Sequence, residues 1–328
     1  MFRPWEDVEL VEPVKLKVAS ARMLTDAIRE LVFIPGEGAK LAGYTPGAHV
    51  KFQLSSGERS YSLIDFDEDT GQDGNAEYRF AVQLERQGAG GSGHMHGLAP
   101  GDEVLASGPH NDFPLMPGKP ALLIAGGIGI TPLIGMAAAL KRAGTPFRFH
   151  YASRSSAAMA YLSELKATFG NQVAFHFDDQ PETALDIDGL VASANPDEHV
   201  YICGPKGLIE AVKAKAETAG FAPDRVHFEL FTSAAQQSGD TEFEVEVKST
   251  GDVFAVPPGK SIIDVLEAAG LDLIHDCRRG DCGICQTDII EGIPDHRDVV
   301  LSDSEKAEGK VMQICVSRAK SARLVLDL

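Results

Sequence analysis

Four cysteines near the C-terminal end constrain this chain more than any other feature. Cys277, Cys282 and Cys285 stand in the spacing C-x4-C-x2-C, and Cys315 follows after a longer gap. Four thiolates so placed are the ligand pattern of a plant-type [2Fe–2S] cluster. The residues between them suit that load. Gly280 and Gly283 permit sharp turns that bring backbone N–H groups to the sulfurs. Arg278 and Arg279 add positive charge beside an anionic centre. A structural zinc site or a disulfide pair is the alternative. Zinc sites usually show two separated pairs or a Cys/His mixture, and three cysteines within nine residues suit no disulfide framework. The pattern points to electron transfer.

A length of 328 residues allows two or three domains. After the four ligands only Cys203 remains, so a reducing, cytoplasmic compartment is expected. Met1–Leu10 carries acidic residues and no apolar run, so no signal peptide is expected there. Ala121–Leu140 is free of charge for twenty residues, but four glycines and Pro132 interrupt it. A buried strand–turn–helix is expected there, not a membrane span. The net charge of −18 argues against nucleic acid as a partner. From Thr241 to Leu328, 17 acidic residues face 10 basic ones, a net −7. Such acidity serves either docking to a basic redox partner or plain solubility.

Three textures follow one another along the chain. From about Val8 to Phe113, short alternating segments such as Lys15–Ala19, His49–Leu54 and Tyr78–Leu84, the last after a turn at Gly71–Asn75, predict an antiparallel β-barrel. From Lys119 the pattern changes to strand then helix. Strands are predicted at Ala121–Ala125, Phe147–Ala152, Val173–Phe177 and His199–Cys203. Helices are predicted from Pro132 to near Gly144, at Ala157–Phe169 and at Gly207–Ala219, giving a βαβ domain. Thr232–Asp240 is small, polar and aperiodic and reads as a linker. A cluster domain then opens at Phe243–Val247. The fold class is therefore multidomain α+β and α/β, with boundaries at 1–113, 119–231, 232–240 and 241–328.

Three further motifs carry chemistry. In Arg59-Ser60-Tyr61-Ser62, an Arg fork can grip phosphate, an aromatic ring can pack on a flavin, and a hydroxyl can bond a ring nitrogen. Such residues also occur in strands for packing alone. Gly88-Ala89-Gly90-Gly91-Ser92-Gly93 can present N–H groups to an anion, or can be a surface loop. His94 and His96 beyond it lack further ligands and read as solvated. Gly126–Pro132, with Gly127, Gly129 and Thr131, lies between a buried strand and a helix, where a pyrophosphate fits. It departs from G-x-G-x-x-G. Cys203-Gly204-Pro205 ends a later strand at the carboxyl edge, where open α/β sheets bind ligands. By itself Cys203 reads as a core residue.

Taken in order, these motifs resemble phthalate dioxygenase reductase and its relatives, the reductases of vanillate demethylases and carnitine monooxygenases, within the wider ferredoxin–NADP reductase superfamily. The resemblance spans nearly the whole chain. It implies a flavin barrel, a Rossmann-like nicotinamide domain and a β-grasp ferredoxin domain. Arg59 and Ser60 then fall in the flavin site, Arg59 as phosphate ligand, with Gly91 and Ser92 completing the phosphate site. Tyr61 packs on the isoalloxazine and Ser62 meets its reactive edge. Gly127, Gly129 and Thr131 match the nucleotide loop, and Cys203, Gly204 and Pro205 the motif facing the nicotinamide. Glu229 and Phe231, in Glu229-Leu230-Phe231, match the segment whose aromatic residue lies near the flavin. Ala89 stands where some relatives carry Arg, so FMN is implied over FAD only weakly. Arg154, in Ser153–Ser156, stands where NADH-preferring relatives place an acid; Arg with serines can accept a 2′-phosphate, or the stretch is an ordinary polar loop, so NADH is expected by a narrow margin and NADPH stays open. The implied activity moves electrons from NAD(P)H through flavin and cluster to a separate terminal oxygenase, of the Rieske non-haem iron type. A flavin-dependent NAD(P)H oxidase and a cluster-based redox sensor are the alternatives.

Overall fold

The computed structural model describes residues 13–37, 40–66, 76–86, 90–195, 197–231 and 239–328. The turn expected at Gly71–Asn75, the loop residues Gly88 and Ala89, linker residues Thr232–Ser238 and the stretch Met1–Leu10 lie outside them. The chain forms two compact units, Met1–His227 and Phe228–Leu328.

The first unit opens with β1 (Val14–Met23), β2 (Ile28–Pro35), β3 (His49–Leu54), β4 (Gly57–Ser62), β5 (Tyr78–Gln83), α1 (Gly91–Gly97) and β6 (Glu103–His110). These strands pair antiparallel in the order β4-β3-β6-β1-β2-β5. Just past β4, the Ile64 N–H donates to the Arg79 carbonyl on β5 at 2.9 Å. That bond draws together the two ends of the strand order, as a barrel requires. Alternation sets the faces: Val50, Phe52 and Leu54 of β3 point into the core, Lys51 and Gln53 away from it. Phe52 packs on Phe33 and Phe80 with ring centroids 5.3 and 5.0 Å apart. Burying such a side chain contributes roughly 1.5–3 kcal/mol.

The same unit continues with β7 (Ala121–Gly126), α2 (Ile130–Arg142), β8 (Phe147–Ser153), α3 (Leu162–Phe169), β9 (Val173–Phe177), α4 (Ile187–Ala192), β10 (His199–Cys203), α5 (Lys206–Thr218) and β11 (Val226–Glu229). The sheet order is β11-β10-β7-β8-β9, with β7 parallel to both β10 and β8, and β9 parallel to β8. β7 is buried along its whole length, as its apolar run requires. Helix α2 begins at Ile130, two residues before Pro132. Pro is tolerated there because first-turn N–H groups have no intrahelical acceptor.

The helix expected at Ala157–Phe169 is broken. A short 3-10 turn, Ser156–Ala158, is followed by Tyr161 at φ 59°, and α3 starts after it. The left-handed conformation costs Tyr161 roughly 1–2 kcal/mol. Its hydroxyl donates to the buried Glu30 carboxylate at 2.7 Å, and its ring meets Phe66 at 5.3 Å. Burial alone would raise Glu30, but Arg22 and Tyr161 outweigh it and hold the carboxyl below its ordinary value. One buried cluster contains Ile28, Ile64 and Phe113 together with Leu123, Ile134 and Tyr151, so barrel and parallel sheet share a core.

In the second unit, β12 (Phe243–Val247) and β13 (Val253–Val256) form a hairpin, and α6 (Ile262–Ala268) follows, opened by a Ser261/Asp264 capping box. Then come β14 (Gln286–Glu291), β15 (Pro294–Asp295), α7 (Asp303–Glu308), β16 (Val311–Gln313), β17 (Arg318–Ala319) and β18 (Arg323–Leu326). The order β13-β12-β18-β14-β16, with β12 and β18 parallel and α6 burying Ile262, Ile263 and Leu266 in the shared core, is the β-grasp arrangement. Asp240, read as the last linker residue, has its carboxylate gripped by Arg297 at 2.6 and 3.0 Å. Among the described residues, no helix is long and apolar enough to cross a membrane.

Two histidine pairs bridge neighbouring strands of the parallel sheet. His150 and His176 place ring nitrogens 3.0 Å apart, and His199 and His227 2.9 Å apart. Burial pushes His150 and His227 down to about 4. An unfolded histidine binds its proton near pH 6.5, so at pH 4–6.5 the unfolded chain holds more protons than the folded one. Stability is then full above about pH 6.5 and falls as pH drops toward about 4. Urea midpoints measured across that window should decline for the wild type and decline less for His150→Phe; parallel curves would exclude this linkage.

Candidate functional site

The parallel sheet reverses its winding between β7 and β10, and the crevice beyond their carboxyl ends is the switch point of such sheets. The two loops there fit together through glycine. A Cβ on Gly129 would stand 2.2 Å from the Cys203 carbonyl oxygen, and one on Gly126 2.7 Å from the Pro205 ring. Gly129 and Gly204 thus let one loop rest on the other. Gly127 differs: it adopts φ 55° and faces open space. The Gly127–Gly129 turn also touches β5 of the barrel. Thr131 is buried, and its hydroxyl donates to the Ile128 carbonyl at 3.1 Å, so it locks the turn. Cys203 is wholly buried in the core cluster.

On the barrel, Arg59, Ser60, Tyr61 and Ser62 form the last four residues of β4. The Arg59 side chain lies across the start of α1: a Cβ on Gly91 would stand 2.8 Å from Arg59 Cγ, and only glycine leaves that room. The Ser92 hydroxyl accepts from the Glu85 N–H at 3.0 Å and closes its own loop. Tyr61 is half-buried, which pushes its phenol up to about 12. Ser62 is 5% exposed, and its Oγ has no partner among the described residues. A buried hydroxyl without a partner costs roughly 1–3 kcal/mol. The cradle under Arg59 and the waiting Ser62 oxygen both fit a bound flavin. His96, read as solvated, instead bonds the Val82 carbonyl through Nε2 at 2.8 Å. It braces α1 against β5.

After β8, Arg154 is exposed. The Asp178 and Asp179 N–H groups donate to the Ser153 and Arg154 carbonyls at 3.0 and 3.1 Å. The backbone of two aspartates just past β9 is therefore tied to the β8 loop. A search for an acid in the β8 loop itself misses them.

In the second unit the four sulfurs gather. Cys277 is hydrogen-bonded with Cys282 and Cys315, and Cys285 with Cys315. These contacts hold the Cys277 thiol far below its ordinary value and push Cys282 and Cys315 far up. The loop winds through three left-handed residues, Arg278 (φ 51°), Gly280 (φ 81°) and Gly283 (φ 80°). Such alternation turns N–H groups inward, and the Arg279 N–H reaches Cys277 Sγ at 3.3 Å. This donor set fits a cluster.

The arginine side chains of the loop pair with carboxylates. Arg278 pairs with Asp264 at 3.1 Å and with Glu267; Arg279 pairs with Asp281 at 3.2 Å and Glu229 at 3.5 Å. Glu229 is buried in that pair, Leu230 N–H donates to Asp281 Oδ2 at 3.0 Å, and Phe231 is 36% exposed. Burial pushes the Asp281 carboxyl up to about 7. Buried Gln313, which bonds Cys285 Sγ at 3.5 Å, gave no signal in the sequence.

Comparison with known proteins agrees with this arrangement. Residues 245–320 match the 2Fe-2S iron-sulfur cluster binding domain, and residues 123–214 the oxidoreductase NAD-binding domain. Vanillate O-demethylase oxidoreductase from Pseudomonas sp. is 39% identical over 96% of this chain and 100% of its own. The structure of phthalate dioxygenase reductase superposes with a TM-score of 0.74 at 35% identity, over 97% of this chain and 98% of that one. The chain belongs to the phthalate dioxygenase reductase family. Like those reductases it is an NAD(P)H-dependent oxidoreductase with a [2Fe–2S] domain at its C-terminal end. It also resembles an intact type IV self-sufficient cytochrome P450 monooxygenase (33% identity, TM-score 0.69, 96% of this chain), but spans only 41% of that chain.

The reductase should tolerate no side chain at the loop contact. Gly129→Ala is expected to cost about 1–3 kcal/mol by overpacking and to raise KM for the nicotinamide nucleotide, with the visible spectrum of the cluster unchanged. Urea unfolding and steady-state kinetics measure both.

Proposed function

We propose that this reductase takes a hydride from NADH onto a flavin and sends the electrons singly through its [2Fe–2S] cluster to a separate terminal oxygenase. The observation that carries the reading is the pairing of a four-sulfur loop with a barrel whose buried Ser62 oxygen lacks a partner. When bound, the flavin supplies the conversion of a two-electron input into one-electron outputs. The chain's own groups do the rest. Arg59, with Ser60, Gly91 and Ser92 beside it, holds the flavin phosphate, Tyr61 packs on the ring system and Ser62 bonds its reactive edge. Gly127, Gly129 and Thr131 shape the nucleotide turn, and Cys203, Gly204 and Pro205 the nicotinamide end. Glu229 and Phe231 close the segment before the linker, and Cys277, Cys282, Cys285 and Cys315 hold iron. The domains are 1–113, 119–231 and 241–328, joined by 232–240, in a cytoplasmic protein.

FMN is the proposed flavin. NADH is the proposed donor because Asp178 and Asp179 stand beside the β8 loop, where a 2′-phosphate would meet two negative charges. The terminal partner is proposed as a Rieske non-haem iron oxygenase, in line with the dioxygenase in the name of the phthalate enzyme. The likeness to a cytochrome P450 monooxygenase supports a second reading, a haem acceptor.

Two measurements test this. Cys282→Ser should keep anaerobic bleaching of the flavin by NADH while cytochrome c reduction falls to background; full cytochrome c activity would end the proposed route. In kcat/KM, NADH should exceed NADPH by about tenfold or more, a difference of about 1.4 kcal/mol, and Asp179→Ser should narrow that gap. A wild type that favours NADPH would reverse the assignment of the donor.

A further inference from the structure

Strand β16 brings to the sulfurs one polar side chain that the cysteine motif does not include. Gln313 is the last residue of β16, is wholly buried, and stands two places before Cys315. Met312, Ile314, Cys285 and Cys315 around it belong to the apolar core of the second unit. A methionine would pack there at no polar cost, whereas a buried amide is tolerated only where it is bonded. The Cys285 thiol donates to Gln313 Oε1 at 3.5 Å. Gln313 Nε2 donates to Oε1 of Gln286, its register partner on β14, at 3.2 Å. The main-chain carbonyl of Gln313 accepts from the Val316 and Ser317 N–H groups at 3.3 and 3.0 Å and closes the turn that carries Cys315. One residue therefore serves two of the cysteines, Cys285 through its side chain and Cys315 through its backbone.

We propose that the Gln313 amide donates a hydrogen bond to Cys285 Sγ when the cysteines hold iron, and that it raises the reduction potential of the centre from there. The inference rests on the reading of Cys285 as an iron ligand. A metal-bound sulfur is a thiolate with no proton to give, so an amide oxygen facing it would set acceptor against acceptor. Half a turn about the terminal side-chain torsion exchanges the amide oxygen and nitrogen. Nε2–H then points at Sγ, and Oε1 faces Gln286, whose exposed amide turns to donate. A hydrogen bond strengthens as its acceptor gains negative charge. Reduction brings one electron from the flavin to the centre, so the bond is stronger in the reduced state and favours it.

The test uses the full chain loaded with flavin and cluster, as wild type, Gln313→Met and Gln286→Ala. Methionine keeps an unbranched side chain and has no donor. Iron content and visible absorbance give the occupancy, and EPR of the reduced centre during a dye-mediated titration gives the potential. In Gln313→Met the equilibrium should shift about tenfold toward the oxidised centre, about 59 mV for a one-electron couple. Gln286→Ala, which removes only the group that orients the amide, should shift it the same way by about threefold, within the worth of one hydrogen bond. Resonance Raman of chains reconstituted in H2O and in D2O is the second reading. The deuterium shift of the iron–sulfur stretch should be smaller in Gln313→Met than in the wild type. A fully loaded Gln313→Met with wild-type potential and wild-type deuterium shift would overturn the inference. If Gln313→Met takes up no iron, Gln286→Ala decides, and a wild-type potential there overturns it equally. A wild-type chain that takes up no iron overturns the reading of the cysteines together with the inference.

Discussion

Crowding four sulfurs into one loop and one distant position is the constraint that orders the second unit. Bound iron would leave that centre anionic, and the loop answers with backbone, through three left-handed residues and an amide aimed at Cys277. Both arginines pair with carboxylates: Asp264, Glu267, Asp281 and Glu229 take up the charge of Arg278 and Arg279. With a cluster bound, reduction would add a further negative charge, and the carboxylates around the loop would oppose that step and favour a low potential.

In the first unit the governing contact is closer and uncharged. The turn after β7 and the loop after β10 meet at Gly129 and Gly204 with no space for a methyl group. Their fit fixes the floor of the crevice at the switch point, while Gly127 stays open above it. Barrel and parallel sheet are held together by a shared core and by the buried Glu30 carboxylate, which Tyr161 and Arg22 both address. A nicotinamide and a flavin have to approach within hydride distance, and one rigid unit serves that better than two loosely joined domains.

Much of this was legible in the residues. The cysteine spacing located the cluster loop, the apolar run at Ala121–Ala125 located the central strand, and alternation in His49–Leu54 located a barrel strand. What escaped is non-local. Nothing near Tyr161 announces a left-handed residue, because Glu30, 131 residues away, holds it there. The ion pairs of Arg278 with α6 and of Arg279 with Glu229 gave no signal because those acidic partners lie 11 to 50 residues away in sequence. Asp178 and Asp179 gave no sign of lying beside the β8 loop because strand pairing, not sequence, lays β9 beside β8. Strand β11 is four residues long, too short for a period to register.

The hydroxyl groups show most directly how satisfied and unsatisfied atoms separate scaffold from site. Ser92, Thr131 and Ser62 look alike in sequence, small hydroxyl residues within candidate binding motifs. The structure distinguishes them by what each oxygen already does. Ser92 accepts from Glu85 and Thr131 donates to Ile128, so each holds its own turn, and a ligand meeting them would have to share those bonds. Ser62 is buried as deeply and has no such bond among the described residues. A fold that leaves one hydroxyl in that state gives up stability at a single point, and a ligand bringing the matching nitrogen or proton recovers it. The cost therefore marks where binding is rewarded, and it falls on the strand that also carries Arg59 and Tyr61.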